Sequence, residues 1–225
     1  MGRVRLDLHV HSRHSPDSAL PVEVIAARLV DVGLNGFALT DHNSVAGHAE
    51  LPVLRERFPG FILVPGVEVS TVEGHLLAYG ISEAPPAERH VTETIDWVRE
   101  RGGVSVLAHP FRFSHGVGSA IAGSARVTAI ETVNGHNSPR ANRNAAAVAK
   151  RRGLGGTGGS DVHELSDLGR AYTEFAEGTR SVDAVLSSLR SGAITAGGRS
   201  LAFSGRVRLG WRTAGLLLRR GFRPI

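Results

Sequence analysis

Short apolar stretches of strand length alternate with helical stretches along most of this chain, and polar residues collect where the strands end. The pattern predicts strands over residues 4–12, 37–40, 61–64 continuing through 66–70, 74–79, 104–108, 127–133 and 193–195. It predicts helices over 22–32, 45–58 with an interruption at Pro52, 92–101, 138–152 and 182–189. Residues 154–160 are too rich in glycine to read as a strand by themselves. Such alternation points to an α/β fold with a largely parallel sheet, in which ligands meet the C-terminal ends of the strands. Asp41, His42, Glu68, His109, Asp161 and His163 all sit at such ends. Their spread over nearly every strand favours a barrel over an open doubly wound sheet, because a barrel gathers all strand ends at one mouth.

The first strand shows what these ends carry. Apolar and polar residues alternate from Val4 to Ser12, which assigns Leu6, Leu8 and Val10 to one face and Asp7, His9 and His11 to the other. Imidazole nitrogen and carboxylate oxygen are the ordinary ligands of zinc, manganese and iron. There is no cysteine, so any metal must be held by His, Asp and Glu. Asp161 and His163 repeat the spacing of His9 and His11. With Asp17, His42, Glu68, His75 and His109 they make nine candidate ligands, enough for three divalent ions if a carboxylate bridges.

These stretches resemble the PHP (polymerase and histidinol phosphatase) family of metal-dependent phosphoesterases. The resemblance rests on Asp7-Leu8-His9-Val10-His11 with Ser15-Pro16-Asp17, Thr40-Asp41-His42-Asn43, Gly66-Val67-Glu68, Gly74-His75-Leu76-Leu77, Ala108-His109-Pro110-Phe111, Ile130-Glu131 with Asn134, and Gly159-Ser160-Asp161-Val162-His163. It implies a distorted (β/α)7 barrel with a metal cluster at the C-terminal mouth of its strands. By the same resemblance the first metal takes His9, His11, Glu68 and Asp161. The second shares Glu68 and adds His75 and His109, and the third takes Asp17, His42 and His163. The implied chemistry is phosphoester hydrolysis by a metal-bridging hydroxide, with Glu68 and Asp161 as catalytic ligands. Arg112 is expected to bind the phosphoryl oxygens, since its planar fork matches them, and Asn134 is a further candidate for substrate binding. Asp7 and Asp41 adjoin ligands and are expected to orient imidazoles. His115 and His136 fall in loops near the expected mouth, whereas His14, His48 and His90 match no motif position.

Charge is unevenly placed. Residues 199–225 hold seven arginines and no acid, which leaves the first 198 residues at a net charge of −2. The expected organisation is therefore a barrel domain over 1–198 and a basic tail over 199–225, read as a helix packing Trp211 and its leucines on the same domain. Arg3, Arg5 and Asp7 stand where a signal core would be apolar, and no apolar run is long enough to span a bilayer, so a cytoplasmic location is expected. Among phosphoesters, a small phosphorylated molecule such as a nucleotide is the preferred substrate. A nuclease would call for a basic groove or an aromatic platform, and aromatic residues are only 5% of the chain. A histidinol-phosphatase-like activity and a non-catalytic metal-stabilised binding module are the other readings.

Overall fold

The computed structural model describes residues 2–161 and 164–200. His163 and the tail arginines from Arg206 onward, with the helix expected around them, lie outside the described residues.

Among the described residues nine strands form one sheet: β1 (Val4–Val10), β2 (Gly36–Leu39), β3 (Ile62–Thr71), β4 (Gly74–Tyr79), β5 (Val104–Leu107), β6 (Ala129–Asn134), β7 (Gly155–Gly159), β8 (Ala171–Phe175) and β9 (Thr195–Gly198). Their spatial order is β7-β6-β5-β4-β3-β2-β1-β8-β9. Pairings β1–β2, β2–β3, β5–β6 and β6–β7 are parallel, while β4 runs antiparallel to both its neighbours. The reversal of β4 follows from its short connection to β3, since only two residues separate the strands. The sheet curls until its two sides meet: the Asp161 amide donates to the His9 carbonyl at 2.8 Å, and Gly158 N–H donates to Thr173 Oγ1 at 2.8 Å. Seven strands thus make a nearly closed barrel, with β8 and β9 continuing antiparallel from β1.

Among the described residues six helices surround it: α1 (Val22–Asp31), α2 (Leu51–Arg57), α3 (Val91–Glu100), α4 (Gly118–Ser124), α5 (Pro139–Arg152) and α6 (Val182–Ser191). Pro52 does not interrupt a longer helix. It occupies the first turn of α2, where its missing N–H costs nothing, and a 3-10 turn over Ala46–Glu50 leads into it. Ser138 caps α5 by accepting from the Ala141 amide, and Gly153 ends that helix in the left-handed conformation at φ +64°.

The barrel interior is apolar at its lower end. Leu6, Leu8, Val64, Leu77, Tyr79, Val106 and Ala129 pack together there, and Val185, Leu186 and Leu189 of α6 join the same cluster. Tyr79 ties the interior together by donating its hydroxyl to the Leu8 carbonyl at 2.7 Å. Phe37, Leu39 and Leu63, of opposite parity on their strands, pack outward with Ile25 and Leu29 of α1.

The apolar stripe expected on β1 is split between these layers. Leu6 and Leu8 pack with the interior, whereas Val10 packs outward with α1. The cause is an irregularity of register between Asp7 and Val10, which breaks the two-residue alternation at the upper end of the strand. A second irregularity lies between Glu131 and Val133 on β6. Both lie at the level where the polar residues begin.

Candidate metal centre

Each expected ligand among the described residues arrives at the upper end of a different part of the barrel. His9 is on β1 and His11 just past it, Asp17 is in the following loop, and His42 follows β2. Glu68 is on β3, and His75 enters at the start of the reversed β4. His109 follows β5 and Asp161 follows β7. All eight are buried. His109 and Asp161 adopt positive φ, +27° and +51°, a backbone that non-glycine residues seldom accept and that clusters at functional sites.

Glu68 is the centre of the arrangement. Its Oε2 lies 3.0 Å from His9 Nε2, 3.1 Å from His11 Nε2 and 3.4 Å from His42 Nδ1. Its Oε1 lies 2.9 Å from both His75 Nδ1 and His109 Nε2. Asp161 Oδ1 approaches the same two nitrogens of His9 and His11 at 3.5 and 3.4 Å. Three sets of ligand atoms come close enough to share an ion: His9, His11, Glu68 and Asp161; His11, Asp17 and His42; and His42, Glu68 and His75. His42 therefore stands with His75 and Glu68 as well as with Asp17, and His11 reaches the Asp17 side.

The neighbours decide which nitrogen faces inward. His9 Nδ1 is 3.0 Å from Glu131 Oε1, and a carboxylate can only accept, so the proton sits on Nδ1 and the Nε2 lone pair is directed at the cluster. Ser15 gives its own proton to Asp17 Oδ1 at 2.8 Å, so its oxygen takes the His11 Nδ1 proton at 3.3 Å. Two imidazole lone pairs, 3.1 Å apart, then face two buried carboxylates. Only positive charge satisfies that set. The residues therefore fit divalent ions by the chemistry of their donors. Their protonation preferences say the same: burial opposes charge on His9, but Asp161, Glu68 and Glu131 outweigh it and hold the imidazole well above its ordinary pKa. His11, beside Asp17, Asp161 and Glu68, is carried to about 10 despite its burial. His109 goes the other way, to about 3, through burial and the Arg112 charge.

Arg112 lies against the cluster. Its Nη2 donates to Asp161 Oδ2 and, at 2.9 Å, to Asn134 Oδ1, while Nε donates to Asn137 Oδ1 at 3.3 Å. Asn134 also donates from Nδ2 to Glu131 Oε2 and to Asp161 Oδ2, both at 2.9 Å. Its amide is engaged on both sides by the protein, which makes it a positioning residue for Arg112 and Asp161. The expectation that Asp7 and Asp41 orient imidazoles is corrected by their partners. Asp7 accepts backbone N–H groups from His9 at 3.3 Å, Ser160 at 2.8 Å and Gly169 at 3.2 Å, and so fastens β1 to the chain after β7. Asp41 accepts the Ser12 amide at 2.6 Å and its hydroxyl at 2.8 Å. The register break after Asp7 separates it from the face that His9 uses. Glu131 holds His9 instead, and its second oxygen accepts the His109 amide at 2.8 Å. Its position as a carboxylate inside an apolar strand, after Ala129 and Ile130, was the signal available.

His115 stacks on His75 with ring centroids 4.7 Å apart, and His136 gives its amide to Asn134 Oδ1 at 2.9 Å. His14, His48 and His90 are outside the cluster, paired with Glu50, Gly66 and Glu73.

Comparison with known proteins identifies the family and the fold. The PHP domain model matches residues 7–94, and the PHP-associated model matches residues 139–194. An uncharacterized protein of Methanocaldococcus jannaschii is 30% identical over 118 residues, which cover 48% of this chain and 68% of that protein. The chain belongs to the PHP family. As a member it is a metal-dependent phosphoesterase, a hydrolase of ester bonds. The 5'-3' exoribonuclease Rnm of Salmonella typhimurium is 36% identical over 91 residues, 37% of this chain and 30% of its own. The 3',5'-nucleoside bisphosphate phosphatase of Chromobacterium violaceum is 40% identical over 89 residues, 36% of this chain and 30% of its own. In fold, the chain superposes on a two-domain protein from Bacteroides vulgatus containing a predicted PHP-like metal-dependent phosphoesterase, with a TM-score of 0.75, 19% identity, and coverage of 94% of this chain and 70% of that one. Among the described residues no helix is long and apolar enough to cross a membrane.

Proposed function

We propose that this PHP protein hydrolyses a small phosphorylated molecule, such as a nucleotide, at the cluster around Glu68. The observation that carries the reading is the convergence of the His9 and His11 Nε2 atoms on Glu68 and Asp161, next to the Arg112 guanidinium. His9, His11, Glu68 and Asp161 would hold one zinc, manganese or iron ion, with Glu68 shared towards His42, His75 and His109. Asp17 would complete a third site with His42, and His163 is kept as its remaining ligand from the sequence pattern. When bound, such ions supply Lewis acidity towards the phosphoryl group and a water acidic enough to attack at neutral pH.

The chain's own residues do the rest. Glu131 and Ser15 fix the tautomers of His9 and His11, so the metal-facing atoms need no rearrangement. Arg112 presents a permanent cation at the edge of the cluster, and Asn134 and Asn137 hold its plane. A phosphate entering there can exchange Asp161 for its own oxygens on the guanidinium, and negative charge gathered in the transition state strengthens that contact. The apolar interior below the cluster keeps the local dielectric low, which strengthens each of these interactions.

The test is a substrate panel with manganese and with zinc: nucleoside monophosphates, nucleoside bisphosphates, histidinol phosphate, glycerol phosphate and short oligonucleotides. Turnover confined to the small molecules supports the reading. Turnover confined to oligonucleotides replaces it with a nuclease, a reading that the match to the exoribonuclease favours. No turnover with either metal, in protein shown to carry metal, rejects both.

A further inference from the structure

The loop after β5 carries a fully exposed phenylalanine at the rim of this site. Among the described residues Phe113, at 107% of its reference exposure, is the one Phe, Tyr or Trp side chain left open to solvent. Covering a ring of that size is favourable by about 2 kcal/mol or more, so a flat ligand that reached it would gain from the contact.

Its position is set on both sides. The residue before it, Arg112, reaches Asp161 and Asn134. Two residues after it, His115 stacks on His75, and its carbonyl accepts the His75 amide at 3.0 Å. The loop is pinned further by Arg112 N–H donating to the His109 carbonyl and Gly118 N–H donating to the Pro110 carbonyl, each at 2.9 Å. Gly116 packs so closely on the Arg112 backbone that a side chain there would collide with it. The backbone at Phe113 is therefore held beside the mouth, because its neighbours on both sides touch residues of the cluster.

We propose that Phe113 is a stacking residue for the nucleobase of the substrate, and so a specificity-determining residue of this enzyme. The inference rests on the phosphoesterase reading above. A phosphate held at Arg112 has its ester oxygen directed out of the cluster, and the organic group on that oxygen leaves the mouth beside Phe113. An aliphatic alcohol would gain little there. A flat base gains a ring face, and stacking of this kind tolerates any of the bases. The low aromatic content of the chain does not oppose this, since one well-placed ring is enough for one base.

The experiment compares the wild type with Phe113→Ala and Phe113→Trp on adenosine monophosphate, glycerol phosphate and a short oligoadenylate. The readouts are kcat/KM and calorimetric binding of adenosine monophosphate. For Phe113→Ala the ratio of kcat/KM for the nucleotide over glycerol phosphate should fall about tenfold, the loss ordinarily seen when one stacked base loses its ring. Binding should weaken by a similar factor, and Phe113→Trp should restore both. A fall confined to the oligonucleotide assigns the stacked base to a strand end instead of a free nucleotide. An unchanged ratio, with hydrolysis intact, overturns the stacking role and leaves the phosphoesterase reading standing. Absence of wild-type hydrolysis on all three substrates removes both.

Discussion

The two ends of the barrel interior are built from the same strands but do opposite work. Below, alternate residues of β1, β3, β4, β5 and β6 put Leu6, Leu8, Val64, Leu77, Tyr79, Val106 and Ala129 into one apolar cluster, closed by α6. Above, the same strands or the residues just past them deliver His9, Glu68, His75, His109 and Glu131 into equally complete burial. Burying that many ionisable groups opposes folding unless each has a partner. The lower end therefore stabilises the frame, and the upper end is a charge arrangement held in place by it. The ends differ in how they should respond to substitution.

The largest effect is expected at Glu68, which five imidazoles approach. Glu68→Gln keeps the shape but removes the charge that opposes them. Hydrolysis should fall by about 10³-fold or more, as expected when shared metal binding and transition-state stabilisation are lost together. Metal content by elemental analysis should fall with it, while circular dichroism stays that of a folded barrel. Wild-type turnover in pure Glu68→Gln protein would show that the upper end does not work as described.

Leu189 makes the converse case at the lower end. It is fully buried on α6 against the interior cluster. Leu189→Ala should cost about 2–5 kcal/mol of stability, the usual range for a large core truncation. Metal content and kcat per folded molecule should stay at the wild-type level. If kcat falls by more than the folded fraction, the two ends are coupled and the division between frame and site fails.

Much of the upper end was legible because its residues break an apolar strand at the end of the strand. His9, His11 and His109 are conspicuous for that reason, Glu68 and His75 as ionisable residues within apolar strands, and Asp161 by sharing with His163 the spacing of His9 and His11. What was not legible depends on how strands meet. β7 is Gly-Gly-Thr-Gly-Gly, and no propensity argument finds it. Its glycines are required by contact: a side chain on Gly159 would collide with His9, and one on Gly158 with the Tyr172 backbone. β8 was missed because it is a short strand that is only half apolar, and its pairing with β1 is a long-range fact. α4 was missed because Gly118, Gly123 and two serines weaken its propensity. Asp7 adjoins the ligands in sequence but binds backbone amides, because the register of β1 breaks between Asp7 and Val10 at the level of the site. Glu131 shows the reverse, a carboxylate whose use appears only once β1 and β6 face each other across the barrel.

Arg112 sharpens the contrast within the upper end itself, between groups that hold cations and a group that is one. Arg112→Ala should lower kcat/KM by about ten- to a thousandfold, the range for loss of one transition-state donor. Elemental analysis should show metal retained, because the guanidinium touches Asp161 and not the imidazoles. Loss of metal along with activity would place Arg112 among the residues that hold Asp161 for the ions.

His48 gives the smallest effect, and it tests whether an imidazole outside the cluster behaves unlike those inside it. It packs against β3, with Nε2 2.8 Å from the Gly66 carbonyl, away from the carboxylates that raise His9 and His11. Burial is the main cause that lowers its pKa below the ordinary 6.5, and the Gly66 contact offsets this only in part. The folded protein therefore binds fewer protons at His48 than the unfolded chain does. Its contribution to stability is complete above about pH 6.5, the unfolded value, and is lost as pH falls through 6.5 towards the lower folded value. His48→Gln removes the titration while keeping an amide that can pair with Gly66. The melting temperature of the metal-loaded wild type should drop more between pH 7.5 and pH 5.5 than that of His48→Gln, by a few degrees at most. Equal drops in the two proteins would mean that the imidazole is charged or neutral alike in the folded and unfolded states, and that position outside the cluster is not what sets its proton affinity.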